Sequence, residues 1–471
     1  MPPEEKSWRP DLLFIGERFE RDLAMVADAA GRIVRFSREP RDLAKAERLH
    51  GRAILPGFVN AHSHAFQRVI RGRTEHRSNL SRDTFWTWRE KMYHAARSLD
   101  AEGIHAAARM VFLEMALAGI TTVGEFHYLH HQPDGRRHDD PNLLAKTVVC
   151  AAREVGLRIA LLHCGYARAG WRQPPHAGQA RFLYRTVEEF CGDADALGRD
   201  LGESHRADEV WTGLAPHSLR AVSFSDFREI AAHGRSRGLR VHMHVSEQRA
   251  ENEACLAENG RTPVALLAAS GWLDENFTAI HAVHLTSGEA QALGAARSTV
   301  CACPTTERNL GDGLVPAERL LEAGAFVALG SDSQIQIGPL EDARELESNL
   351  RLKYEERIIL APRDAAATED PDVLARRLFS CATSAGARSL GAPGGSLAIG
   401  RPADFFTVDL RDPSIAGAGA SLAAMVFSLE RTAIRDVVVG GKKVIADGRH
   451  ALQGEITDRF VELQRRLWGE G

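Results

Sequence analysis

Residues 54–64 read ILPGFVNAHSH. An apolar run ends in His-x-His. In an extended chain, residues two apart point the same way, so the imidazoles of His62 and His64 can face one point. Alone, this motif is weak and more often belongs to a solvated loop. Its reading is decided by recurrence. Similar β-branched runs follow at 121–126 (TTVGEF), 157–163 (LRIALLH), 210–216 (VWTGLAP) and 239–245 (LRVHMHV). Three more lie at 278–282 (TAIHA), 298–303 (STVCAC) and 325–331 (AFVALGS). With 54–60 (ILPGFVN) they make eight. Amphipathic stretches such as 101–119 (AEGIHAAARMVFLEMALAG) and 142–156 (NLLAKTVVCAAREVG) separate them, many ended by Gly. Eight strands alternating with helices predict an α/β protein, a parallel (β/α)8 TIM barrel.

The two ends read differently. Residues 10–53 and about 395–450 carry short strands and turns, as in DFFTVDL and DVVVGGKKVIADGRH. They predict a small β-sandwich domain formed from both termini, residues 1–53 and 395–471 with the C-terminal tail, flanking a barrel of 54–394. The first βα connection is long. Its insertion at 72–100 includes Arg82, Phe85, Trp86, Trp88, Arg89 and Tyr93. It suits a substrate lid, or a helix packed on the barrel rim or on a neighbouring subunit.

Composition narrows the function. The 471 residues hold 59 Lys and Arg against 63 Asp and Glu, a net charge of −4. That balance argues against a nucleic-acid or anionic-membrane surface. No apolar run reaches the roughly 20 residues a membrane helix needs. The first residues, MPPEEKSWRP, carry acids and no secretory h-region. Seven scattered cysteines do not form a disulfide framework. A cytoplasmic protein with reduced thiols is expected. Cys301 and Cys303 read as small buried residues, because a thiolate zinc site needs more ligands.

The histidines fall at strand ends. His62 and His64 follow the first run, His244 ends the fifth, His281 the sixth, and Asp332 follows the eighth in GSD. Side chains at these ends converge on a barrel's mouth. Three imidazoles and a carboxylate suit Zn²⁺ or a similar first-row ion. Taken singly, His281 suits a buried, satisfied histidine and Asp332 a turn or helix N-cap. The fourth run ends in Ala215, Pro216 and His217, with no Lys to be carboxylated, which favours one ion over two. Glu247, three residues past His244, can carry a proton to a departing amine, or can simply begin a helix.

PGFVNAHSHAFQR, HVSEQ, HAVH and LGSDS, in this order, resemble the amidohydrolase superfamily in its mononuclear deaminase branch. The tail GRPADFFTVD resembles that superfamily's small β domain. More narrowly, AHSHAFQRVIRGRTE, DTFWTWREKMY, GEFHYLHH, APHSLRAV, HVSEQ and CPTTERNLGDG resemble the formiminoglutamate deiminases of histidine degradation. The resemblance spans nearly the whole chain. It implies metal-dependent hydrolysis of N-formimino-L-glutamate to N-formyl-L-glutamate and ammonia by a homodimer. It implies one divalent ion, Zn²⁺, held by His62, His64, His244 and Asp332. His281 and Asp332 would handle the protons of the attacking water, with Glu247 beside them. Gln67, Arg89, Tyr128, His217 and Arg220 would bind a small dicarboxylate substrate.

The residues agree with such a substrate. Carboxylates call for arginine forks and for hydroxyl or amide donors. Gln67 and Arg89 lie in the first connection, Tyr128 follows the second strand, and Arg220 lies four residues past the fourth. One mouth can hold them all. Two other readings remain. Another deaminase of the branch, acting on a purine, pterin, guanidine or triazine, would share the metal centre and differ at Arg89, Tyr128 and Arg220. A catalytically silent barrel would have lost a ligand, and none is lost here.

Overall fold

Eight parallel strands, seven of them where the sequence predicts them, form the centre of the computed structural model, which describes residues 5–77, 83–174, 176–363 and 369–469. They are β1 (Phe58–Ser63), β2 (Ile120–His127), β3 (Arg158–Gly165), β4 (Val210–Pro216), β5 (Val241–Val245), β6 (Phe277–His281), β7 (Thr299–Ala302) and β8 (Phe326–Leu329). They pair in chain order. Every residue of β1, β2 and β3 is buried, which is why these strands read as unbroken runs rather than alternating ones. A bridge between Ser63 and Asp332 joins the last strand's end to the first. Two backbone bonds knit that seam. The Asp332 N–H donates to the His62 carbonyl (3.1 Å), and the His64 N–H donates to the Asp332 carbonyl (3.0 Å).

The strand expected at 54–60 is two strands. Residues 54–56 end a strand, Glu47–Pro56, of a second sheet, and β1 begins at Phe58. Gly57 separates them; a Cβ there would lie 2.3 Å from the Thr121 side chain. Both pieces are apolar, so hydropathy alone could not part them.

The second sheet is mixed and built from both ends of the chain. Among the described residues it has nine strands. Glu47–Pro56 lies at its middle, parallel to Lys6–Ile15 and antiparallel to Phe405–Asp409. Trp8, Leu13, Met25, Ile54 and Phe405 pack a separate small core there. A buried ion pair ties this sheet to the barrel. Arg158, the first residue of β3, donates from Nε to Asp404 Oδ2 (2.7 Å) and from Nη2 to Asp404 Oδ1 (3.1 Å). Removing one partner strands a buried charge. Asp404→Ala is therefore expected to cost about 3–5 kcal/mol, read as a lowered urea midpoint. An unchanged midpoint would show the two layers to be held by apolar contact alone.

Four helices bear on the site. Helix α1 (Phe85–Ser98) lies in the long first connection and is started by a capping box between Thr84 and Thr87. Helix α2 (Ala101–Leu117) follows; Asp100 caps it by accepting the Gly103 N–H at 2.7 Å. Helix α3 (Pro304–Leu310) follows β7. The tail is not simply an extension of the β domain. It forms helix α4 (Gln453–Trp468), whose Ile456, Phe460 and Leu463 are buried. Helix α4 packs on α2 and on the 3₁₀ turn Ala65–Ile70 after β1. Gln464 and Trp468 both donate to the Val69 carbonyl, at 3.1 and 3.3 Å. The Arg68 guanidinium lies 4.9 Å from the Phe460 ring centre.

Candidate active site

The seam that closes the barrel also gathers donor atoms. His62, His64, His244 and Asp332 are all buried and present ligand atoms within 4.8 Å of one another. His62 Nε2 and His64 Nε2 lie 3.2 and 3.3 Å from the same oxygen, Asp332 Oδ1. Carbonyls orient two of the rings. His64 Nδ1 lies 2.9 Å from the Phe126 carbonyl, and His244 Nδ1 lies 3.1 Å from the His217 carbonyl. A carbonyl only accepts, so each Nδ1 carries the hydrogen and each Nε2 keeps a free lone pair. Gly330 lets β8 close on this point; a Cβ there would come within 2.7 Å of the His62 Cβ.

The donor set passes a direct test for an ion. Both ring nitrogens of His62 are sealed from solvent; Nδ1 has no hydrogen-bond partner among the described residues, and Nε2 has only the Asp332 carboxylate beside it, at 3.2 Å without good hydrogen-bond geometry. Burial pushes its pKa down to about 3, so the ring is neutral at pH 7. Such a group is costly unless something uses its lone pair. Three neutral imidazoles and an ionised carboxylate are the donors of a divalent first-row ion. Burial works to raise the Asp332 pKa, but the imidazoles of His62, His281 and His64 outweigh it and hold the carboxyl ionised, below the usual range.

His281 stands beside this centre among carboxylates. Its Nε2 lies 3.9 Å from Asp332 Oδ2 and 3.8 Å from Glu247 Oε1. On the other side, Nδ1 donates to Glu307 Oε1 at 3.2 Å. Burial would lower its pKa, yet Glu247, Glu307 and Asp332 together hold it well above the ordinary histidine value. Burial raises the Glu247 pKa, against the pull of the His281 and Arg220 charges. The backbone here is strained. Ser246, His281, Ala282, Asp332 and Gln334 all have φ between 44° and 66°. Left-handed non-glycine residues cost about 1–3 kcal/mol each and persist where the surrounding structure holds them. Here they lie at or just past the ends of β5, β6 and β8.

Two arginines line the same cavity as this centre. Arg89, on α1, lies over the rings of Trp86 (4.4 Å) and Tyr93 (5.3 Å). Arg220 lies over Phe85 and Trp86, at 5.8 and 5.6 Å. Neither makes an ion pair among the described residues. Arg89 Nε and Nη1 and Arg220 Nε are buried without a hydrogen-bond partner. The insertion thus does more than pack on the rim, since α1 supplies part of the cavity lining. Arg82 lies outside the described residues.

The structure brings the metal-ligand, proton-handling and substrate-binding residues named from the sequence to this one mouth. Gln67, on the 3₁₀ turn, donates to the Tyr128 hydroxyl at 2.9 Å. His217 stacks on His244 with ring centres 4.6 Å apart. Both line the cavity with Arg89, Arg220, Tyr128, Glu247, His281 and Asp332. Sequence reasoning missed Glu307. Its Oε1 also accepts the Cys303 N–H at 2.8 Å, which fixes the carboxylate under His281. It missed Glu125, which accepts from the Ser63 hydroxyl and from the Ala65 N–H (2.7 Å) and so braces the His62–His64 segment. A carboxylate inside the apolar run of β2 was the available signal.

A model of the amidohydrolase family matches residues 53–444. Formimidoylglutamate deiminase of Pseudomonas aeruginosa is 37% identical over 431 residues, 90% of this chain and 91% of that protein. A 5-methylthioadenosine/S-adenosylhomocysteine deaminase of Natronomonas pharaonis is 27% identical over 89% of each chain. The crystal structure of an amidohydrolase from Brucella melitensis superposes with a TM-score of 0.88 at 31% identity, covering 98% of this chain and 99% of that one. On the span of the family match and on that level of identity, the chain belongs to the amidohydrolase family.

Proposed function

We propose that this chain is a metal-dependent formimidoylglutamate deiminase, hydrolysing N-formimino-L-glutamate to N-formyl-L-glutamate and ammonia in histidine degradation. The observation that carries this reading is the pair of unpaired arginines, Arg89 and Arg220, in one cavity with the His and Asp donors. A dicarboxylate supplies the missing partners of both. The 37% identical deiminase supports the same substrate.

His62, His64, His244 and Asp332 would hold the ion, and their donor chemistry suits Zn²⁺. When bound, such an ion supplies Lewis acidity and an attacking water that is ionised near neutral pH. The chain's own groups do the rest. Arg89 and Arg220 fork onto the carboxylates, with Gln67, Tyr128 and His217 around them, and aim the formimino carbon at the donor set. Asp332 accepts the proton of the attacking water. His281 Nε2 stands between Asp332 and Glu247 and passes that proton on. Glu247 or His281 protonates the departing nitrogen. The first transfer makes the imino nitrogen an amine; the proton of the added hydroxyl follows by the same relay, the carbon–nitrogen bond breaks, ammonia leaves, and the formyl oxygen is the one that came from water. A homodimeric, cytoplasmic enzyme belongs to the same proposal. Among the described residues, no helix is long and apolar enough to cross a membrane.

The test is ammonia release by purified, zinc-loaded protein from N-formimino-L-glutamate, with guanine and adenosine run beside it. Turnover of the first alone is expected. Turnover of a purine in its place would keep the metal centre and overturn the dicarboxylate reading of Arg89 and Arg220.

A further inference from the structure

We infer that Gln179 is a positioning residue that turns the hydroxyls of Tyr93 and Tyr166 into hydrogen-bond donors for a substrate carboxylate. This rests on the dicarboxylate reading of the cavity and adds a neutral donor pair to its two arginines. Gln179 ends the 3₁₀ turn Ala177–Gln179 and is 1% exposed, so it does not touch a substrate itself. Its side-chain Nε2 donates to Tyr93 Oη at 2.8 Å and to Tyr166 Oη at 2.9 Å. A primary amide has two hydrogens, and both are used here.

The consequence lies in the phenols. A phenol that accepts at its lone pair keeps its own hydrogen to give elsewhere. No hydrogen bond among the described residues takes the hydrogen of either phenol onto a separate acceptor. The two hydroxyls lie close together, so they can share at most one hydrogen between them. At least one is left for the cavity, which both rings line together with Arg89 and Arg220. The reverse amide orientation would bury two unpaired N–H donors. The arrangement present leaves a single unpaired acceptor, Gln179 Oε1. Burial raises the Tyr93 pKa above its ordinary value, so that ring remains a neutral donor at working pH. Cations and outward-facing O–H groups together match only a group that accepts and never donates. An ionised carboxylate is such a group, with about four lone-pair sites.

Gln179→Glu keeps the shape and removes donors, so the phenols turn their hydrogens inward. It is expected to raise KM for N-formimino-L-glutamate about tenfold or more while kcat stays within about twofold. The variant Tyr93→Phe/Tyr166→Phe buries no new charge and is expected to do the same. Adding Gln179→Glu to it should raise KM by less than about twofold more. A full further factor in that background, or an unchanged KM in the Phe variant, overturns the proposal. Glutarate binding by calorimetry separates this from the reaction reading. A wild-type protein that binds glutarate without turning over formiminoglutamate overturns the reaction, and the same loss of affinity in the variants then upholds the donors. Wild-type protein that fails to bind glutarate overturns both.

Discussion

Asp332→Asn lowers kcat by about 10³-fold or more and removes most of the bound metal, on the weight such proton-transfer and metal-ligand roles carry. One side chain serves two neighbours. Its Oδ1 lies against His62 and His64, and its Oδ2 faces His281. Asparagine keeps the size and loses the charge that holds the ion and receives the proton. It also tolerates the left-handed backbone at this position, φ 44°, which alanine tolerates less well. The backbone bonds of the seam do not involve the side chain, so the barrel is expected to close in the variant. Asp332→Ala should match it in turnover and be less stable. Kinetics, metal content by mass spectrometry and a thermal scan read the three effects. Full metal content with turnover within tenfold of wild type would sink the assignment.

Arg220→Met raises KM by about 10–100-fold with a smaller change in kcat, as expected for losing a charge-assisted bond to a carboxylate. Arg220 sits among Phe85, Trp86, Tyr93 and Tyr166 with a buried, unpaired Nε. In the free enzyme no carboxylate forms an ion pair with it among the described residues, and Glu251 and Glu247 act on it only at longer range. Methionine fills similar space with no charge to desolvate, so the free variant is expected to melt at the same temperature or higher. That opposite movement of stability and affinity marks a residue kept for a ligand rather than for the fold. Arg220→Lys should not restore KM, because a point charge cannot fork onto two oxygens over an aromatic wall. An unchanged KM in the methionine variant would dismiss the clamp.

The barrel was legible because fully buried parallel strands appear as short apolar runs between helical periods. The ligand histidines were legible because barrel geometry brings strand ends together however far apart they lie in the chain. What escaped depends on contacts that leave no local pattern. Glu307 acts on a histidine 26 residues away, and Gln179 on a tyrosine 86 residues away. Neither has a periodic signature. The break at Gly57 was hidden because apolar residues flank it on both sides. Helix α4 is a different case. Ile456, Phe460 and Leu463 recur at helical spacing, so its signal was present in the tail and only its docking site was not.

The buttressing of the Gln67 turn by α4 has a consequence in time. The ribosome delivers residues 65–70 early and residues 453–468 about 400 residues later. At about 5–20 residues per second, that gap lasts roughly 20–80 s. Over nearly all of it, the central strand Glu47–Pro56 has Lys6–Ile15 on one side and no Phe405–Asp409 on the other. A nascent chain therefore carries an open sheet edge and an unbraced first loop through most of its synthesis. The pocket takes its final shape only once a helix made about 400 residues later has folded back onto that first loop.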